Sequence, residues 1–230
     1  MRLRLLAGLG VLLVALFVTT TVSAQDPAPP PGPPVITAPP LLPPAPDELV
    51  VWRRSKSVGK PWHGRLIRGV KLPSYGADWF TYDWGTGQVP NRIWRRYGHA
   101  RLVRMLLRVV TEFRAAHPEA PRVGIADLSR PRGGYFGHRF GGLGHASHQN
   151  GQDVDVLYPR LDRYETRPER VRLIDRKLAQ DLVNRFVAAG AQRVFVGPHT
   201  KLRGKRGVVT KLSNHDDHMH VRIKPRRGGR

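Results

Sequence analysis

The 230-residue chain carries 39 Lys and Arg against 17 Asp and Glu, a formal net charge of +22, and it has no cysteine. Without cysteine there is no disulfide framework, thiolate zinc site, iron–sulfur ligation or thiol nucleophile, so any metal site must use histidine and carboxylate. A hydrophobic share of 40% supports one globular core and excludes a polytopic membrane protein, in which long apolar runs would recur.

Arg2 and Arg4 open the chain, an unbroken apolar run follows from Leu5 to Val18, and Val22-Ser23-Ala24 ends it with small residues. Residues 1–24 therefore read as a signal peptide cleaved before Gln25, the apolar run being short for the roughly 20 helical residues that a bilayer needs. Residues 25–47 hold eleven prolines, and because proline fixes φ and removes a donor, this stretch is expected to be an extended, solvated linker. A folded domain is expected over 48–226, with a basic tail at 227–230. Ser57-Val-Gly-Lys60 at the start of this domain is read as flexible basic linker. Tryptophans 52, 62, 79, 84 and 94 are read as core or as a lip over a site.

Leu102, Met105, Leu106, Val109, Val110 and Phe113 recur at three and four before Pro118, which predicts an amphipathic helix within 97–117. Strands are expected at 123–128, 154–158, 194–196, 208–212 and 219–223, with a glycine-rich loop over 133–144. The spacing of Ile174, Leu178, Leu182, Phe186 and Val187 predicts a second helix over 174–189, capped by Gly190, with Asp175 and Asp181 on its solvated face. Together these give an α+β fold, a small mixed, largely antiparallel sheet with helices packed on it. The basic residues are scattered, in groups such as Arg53-Arg54, Arg95-Arg96 and Arg203 to Arg206. They form no aromatic-interleaved or helix-turn-helix pattern, so no nucleic-acid partner is expected, and export directs the charge toward an anionic envelope surface.

Five of the ten histidines fall in two groups, His145-Ala-Ser-His148-Gln-Asn-Gly151-Gln-Asp153-Val-Asp155 and His215-Asp-Asp-His218-Met-His220. On a strand, His218, His220 and Arg222 share one face while Met219, Val221 and Ile223 take the other; Val154 and Val156 likewise oppose Asp153 and Asp155. If the two strands are neighbours, imidazoles meet carboxylates, and Gly151 permits the turn that returns His148 to Asp155. Two histidines and one aspartate with an open fourth position make a zinc shell of the catalytic type. The plainer alternative is surface imidazoles hydrogen-bonded to neighbouring acids.

His148-x-x-Gly151-x-x-x-Asp155 followed by His218-x-His220 resembles the zinc peptidase superfamily of lysostaphin-type endopeptidases, D-Ala-D-Ala metallopeptidases and the hedgehog domain. Gly144 to Gln149, Asp153-Val-Asp155, His215-x-x-His218-Met-His220-Val-Arg222, Ala126 to Gly134 and Arg193 to Pro198 are similar to the penicillin-insensitive murein endopeptidases. The resemblance implies a hedgehog- or DD-peptidase-like fold with Zn²⁺ held by His148, Asp155 and His220. It further implies His218 as general base or stabilising cation, with His215 and His145 lining the site and Asp153 orienting a ligand. The implied activity is hydrolysis of D-alanyl-diaminopimelyl cross-links in peptidoglycan by zinc-activated water, in the periplasm, the envelope or outside the cell. A non-catalytic zinc-containing wall-binding module is the alternative. A metal-dependent nuclease is a further one, and a serine peptidase at Ser57-x-x-Lys60 lacks supporting motifs.

Overall fold

The computed structural model describes residues 49–140 and 144–224. The expected signal peptide, the proline-rich linker and the basic tail lie outside them. The described chain begins with a hairpin of β1 (Lys56–Lys60) and β2 (His63–Ile67), then β3 (Val70–Lys71), β4 (Trp79–Thr81) and β5 (Tyr97–Gly98). Next come α1 (Ala100–Ala116), β6 (Val123–Ile125), β7 (Asp153–Leu157), α2 (Arg176–Ala188), β8 (Arg193–Val196), β9 (Val209–Lys211) and β10 (His218–Arg222).

Six strands form the main sheet in the order β4-β6-β7-β10-β8-β9. The three inner pairings are antiparallel, whereas β4 on β6 and β9 on β8 are parallel, which makes the sheet mixed and the fold α+β. Strand alternation sorts its two faces. Val123, Ile125, Val154, Val156, Val194, Val196, Met219 and Val221 are buried against Leu102, Leu106, Val110 and Phe113 of α1 and Leu178, Leu182 and Phe186 of α2. The opposite face carries Asp153, Asp155, Phe195, His218 and His220, so the helices that build the core leave the other side free for chemistry.

The two helices end where local chemistry stops them. His99 caps α1, its ring accepting from the Arg101 N–H at 3.1 Å, and the start falls later than 97 because Tyr97 and Gly98 pair with β3. Asp175 caps α2 by accepting from the Leu178 N–H at 3.1 Å, a role that requires it to stand outside the helix. Asp175 and Asp181 are thus not a solvated face: Asp181 binds the His117 ring at 3.0 Å, tying α2 to the end of α1, and also pairs with Arg185. The flexible linker expected at Ser57–Lys60 is instead β1, in register with β2 from Lys56 opposite Ile67 to Lys60 opposite His63. Ser57 Oγ donates to the Asn150 carbonyl at 2.7 Å, which fastens the hairpin to the loop carrying His148.

Candidate metal centre

β7 and β10 are direct neighbours, with His220 opposite Asp155 and Arg222 opposite Asp153. This register places one imidazole and one carboxylate side by side on the open face of the sheet. His148 arrives from the preceding loop in a left-handed conformation, φ 66°. The return to β7 passes through Gly151 at φ 73°, where an added Cβ would meet the Leu66 side chain at 2.8 Å, so glycine is required by both conformation and space.

Each ring is held by its outer nitrogen. His148 Nδ1 donates to the Leu128 carbonyl at 2.5 Å, and its backbone N–H donates to Asp153 Oδ2 at 3.1 Å. His220 Nε2 donates to Asp153 Oδ1 at 3.0 Å, and Arg222 Nε donates to the same oxygen at 2.6 Å. His145 Nε2 donates to Asp127 Oδ2 at 2.6 Å. Asp127 in turn is clamped by Arg95 through Nε at 2.6 Å and Nη2 at 2.5 Å, with Asn91 Nδ2 at 3.0 Å. A carboxylate or carbonyl on the far nitrogen fixes the tautomer and turns the near nitrogen's lone pair inward, the usual outer support of a metal-binding imidazole.

The near atoms converge on Asp155. Its Oδ1 lies 3.4 Å from His148 Nε2, 3.2 Å from His220 Nδ1 and 3.8 Å from His218 Nε2, and its Oδ2 lies 3.6 Å from His145 Nδ1. His148 Nε2 and both Asp155 oxygens are fully buried and make no hydrogen bond. Buried polar atoms without partners are costly, and a cation among them would satisfy all three. His145, His148 and Asp155 present donors within 4.8 Å of one another; His220 Nδ1 reaches the same Asp155 oxygen, Oδ1, as His148 Nε2. The donor set fits a divalent ion of the zinc type, with nitrogen and carboxylate donors and no thiolate.

The electrostatics agree. Burial alone would raise the Asp155 carboxyl, yet His148 and His218 beside it hold it well below the usual carboxylate range. Burial disfavours charge on His220, but the Asp153 carboxylate outweighs it and lifts the imidazole to about 9. His215 goes the other way, lowered to about 4 by burial and then by the neighbouring His218.

Of the histidine and aspartate residues singled out in the sequence, His145, His148, Asp155, His215, His218 and His220 line one cleft of about 1080 Å³, while Asp153 lies behind His148 and His220, bonded to both. His215 stands farther from the Asp155 centre; its ring packs 4.7 Å from that of His218 and its Nδ1 donates to the Ser213 carbonyl at 2.7 Å. Asp217 was missed, although it adjoins His218 in sequence: its Oδ1 accepts from His218 Nδ1 at 2.7 Å, and Arg167 reaches its Oδ2 at 3.4 Å. Trp84 packs edge-on against His218 at 5.2 Å and forms part of the cleft wall with Trp62. Asp127 and Arg95, 32 positions apart, meet only through the fold.

Residues 57–202 match the sequence profile of the penicillin-insensitive murein endopeptidases. Proteins of that name from Salmonella heidelberg (strain SL476) and Salmonella paratyphi C (strain RKS4594) are 33% and 32% identical over 201 residues, covering 74% of this chain and 66% of each relative. The one from Haemophilus influenzae is 29% identical over 197 residues, covering 74% of this chain and 64% of its own length. The chain therefore spans just under two thirds of the length of these relatives. With a match over more than half its residues, which takes in His145, His148 and Asp155, the chain belongs to the penicillin-insensitive murein endopeptidase family.

Proposed function

We propose that the chain is an exported zinc peptidase that hydrolyses D-alanyl-diaminopimelyl cross-links between peptidoglycan stem peptides. The observation that carries this reading is the set of buried, unpartnered donors on His148 and Asp155, ringed by three further imidazoles. His148 Nε2, Asp155 and His220 Nδ1 hold the ion. His220 is preferred to His145 as third ligand because it sits on a buried strand in direct register with Asp155, and a strand fixes a ligand better than a loop does. His145, on the Oδ2 side of Asp155, borders the place for water and substrate.

Zinc in such a site supplies Lewis acidity toward the scissile carbonyl and makes water acidic enough to deprotonate near neutral pH. The residues do the rest. Asp217 engages His218 Nδ1 and so leaves Nε2 as the free basic nitrogen facing the cleft, placed to take a proton from the attacking water and return it to the departing amine. His215, neutral at physiological pH and with Nδ1 committed to a carbonyl, accepts a hydrogen bond through Nε2. Arg167 and Arg170 line the cleft and provide positive charge for stem-peptide carboxylates. Since no serine ester forms in this chemistry, β-lactams have no nucleophile to acylate.

Digestion of diaminopimelate-type peptidoglycan, followed by mass spectrometry, tests the reading. Cross-linked dimers are expected to become monomers, the conversion to vanish in His148→Ala and after chelation, and zinc to restore the chelated protein. Persistence of dimers with stoichiometric zinc bound would turn the reading into a wall-binding module.

A further inference from the structure

Beside the metal cleft lies a second cavity of about 720 Å³, and Trp62 lines both. The hairpin supplies His63 and Arg65 to its wall, the glycine-rich loop supplies Tyr135, and Gln149 follows directly on His148. Its position is fixed by backbone bonds: Gly134 N–H donates to the Gly64 and Gln149 carbonyls at 3.1 and 2.8 Å, Leu66 N–H to the Arg132 carbonyl at 2.9 Å, and Gln149 N–H to the Pro61 carbonyl at 2.8 Å. The walls of the second cavity are therefore tied to the segment that carries His148.

Those bonds also select the kind of ligand. The edge of β2 that faces the cavity is already paired with residues 132–134, so an extended peptide finds no free main-chain edge there to join. Two aromatic rings are offered instead: Trp62 and Tyr135 are each 53% exposed. Gly134, which precedes Tyr135 and lines the same cavity, is at φ 79° and has nothing within 4 Å of where a Cβ would stand, which leaves a bare backbone surface open to close approach. Flat apolar faces bordered by His63, Arg65 and Gln149 suit a ring that is apolar on its faces and polar at its rim. Pyranose sugars are built that way, with axial C–H groups on the faces and hydroxyl or acetamido groups around the edge.

We propose that this cavity is a glycan subsite, which takes the N-acetylated amino-sugar chain of murein while the attached stem peptide occupies the metal cleft. It rests on the function proposed above, and Trp62 is the residue through which the two sites are continuous.

Two arms test it. In the first, cleavage of a cross-linked dimer that retains its disaccharides is compared with that of the same dimer stripped of sugar. The wild type is expected to favour the sugar-bearing substrate by about tenfold in kcat/KM, the size of one stacking contact, and the ratio is expected to fall toward one in Tyr135→Ala while Tyr135→Phe retains it. In the second, binding of N-acetylglucosamine tetramer to the whole chain is followed by Trp fluorescence and by NMR. Binding that is lost in Tyr135→Ala and kept in Tyr135→Phe supports the subsite. A wild-type ratio of one together with no tetramer binding overturns it, even if the stripped dimer is cleaved well. If neither dimer is cleaved, the proposed activity fails and the tetramer arm alone decides the subsite.

Discussion

At the scale of single residues, the division of labour between His218 and the proposed ligands His148 and His220 gives the sharpest contrast. Both kinds of imidazole lie within 4 Å of Asp155 Oδ1, but only His218 has its far nitrogen on a partly exposed acid, Asp217. His218→Ala is expected to lower kcat by about 10²–10⁴-fold, the worth of a positioned general base, with zinc still bound at one per chain by atomic absorption. His148→Ala is expected to lose the metal. His220 adds a pH dependence. Its pKa in the metal-free chain is lifted from 6.5 to about 9, so its charge stabilises the metal-free fold fully below 6.5, and that contribution is lost as pH rises through about 9. Metal must displace this proton, so zinc affinity is expected to rise by up to about tenfold per pH unit until about 9, with close to one proton released from His220 per ion. Chelator competition across this range, and calorimetry in buffers of different ionisation enthalpy, measure the two quantities.

At the scale of elements, the strands that carry the proposed ligands were legible because their apolar and polar residues alternate. Asp-Val-Asp-Val and His-Met-His-Val each send the valines and methionine to one face and the acids and imidazoles to the other, as β7 and β10 do, with the apolar set packed into the core. The hairpin β1–β2 was not legible for the same reason inverted: in Lys-Ser-Val-Gly-Lys and His-Gly-Arg-Leu-Ile only Leu66 is buried. Long-range bonds to Asn150 and Arg132, rather than periodicity, hold that hairpin in place. Met219, fully buried between His218 and His220, couples the core to the site. Met219→Ala is expected to cost about 2–5 kcal/mol by leaving a cavity under the ligand strand, whereas Asp175→Ala, which removes only the α2 cap, is expected to cost about 1 kcal/mol. Thermal unfolding of the two variants gives the comparison; a smaller loss in Met219→Ala would mean that β10 is not anchored through its apolar face.

At the scale of the whole molecule, what the sequence could not disclose is the strand order. The sheet runs β4-β6-β7-β10-β8-β9, so the last strand inserts between the seventh and eighth, and this insertion is what joins His220 to Asp155. Two histidine-rich groups far apart in the chain carry no local signal of such an insertion; the resemblance to known peptidases implied only that His148, Asp155 and His220 meet. The same long-range assembly brings Arg95, buried at 1% exposure, onto Asp127 behind His145, a support that no spacing announces. We propose that this insertion is what lets His148, Asp155 and His220 hold one zinc ion. Crystals of the zinc-loaded chain, measured at the zinc absorption edge, give the test. One anomalous peak about 2.0–2.2 Å from His148 Nε2, an Asp155 oxygen and His220 Nδ1 is the predicted result. A peak held by His145, His148 and Asp155 with His220 outside its reach, or no peak on these residues, would contradict it.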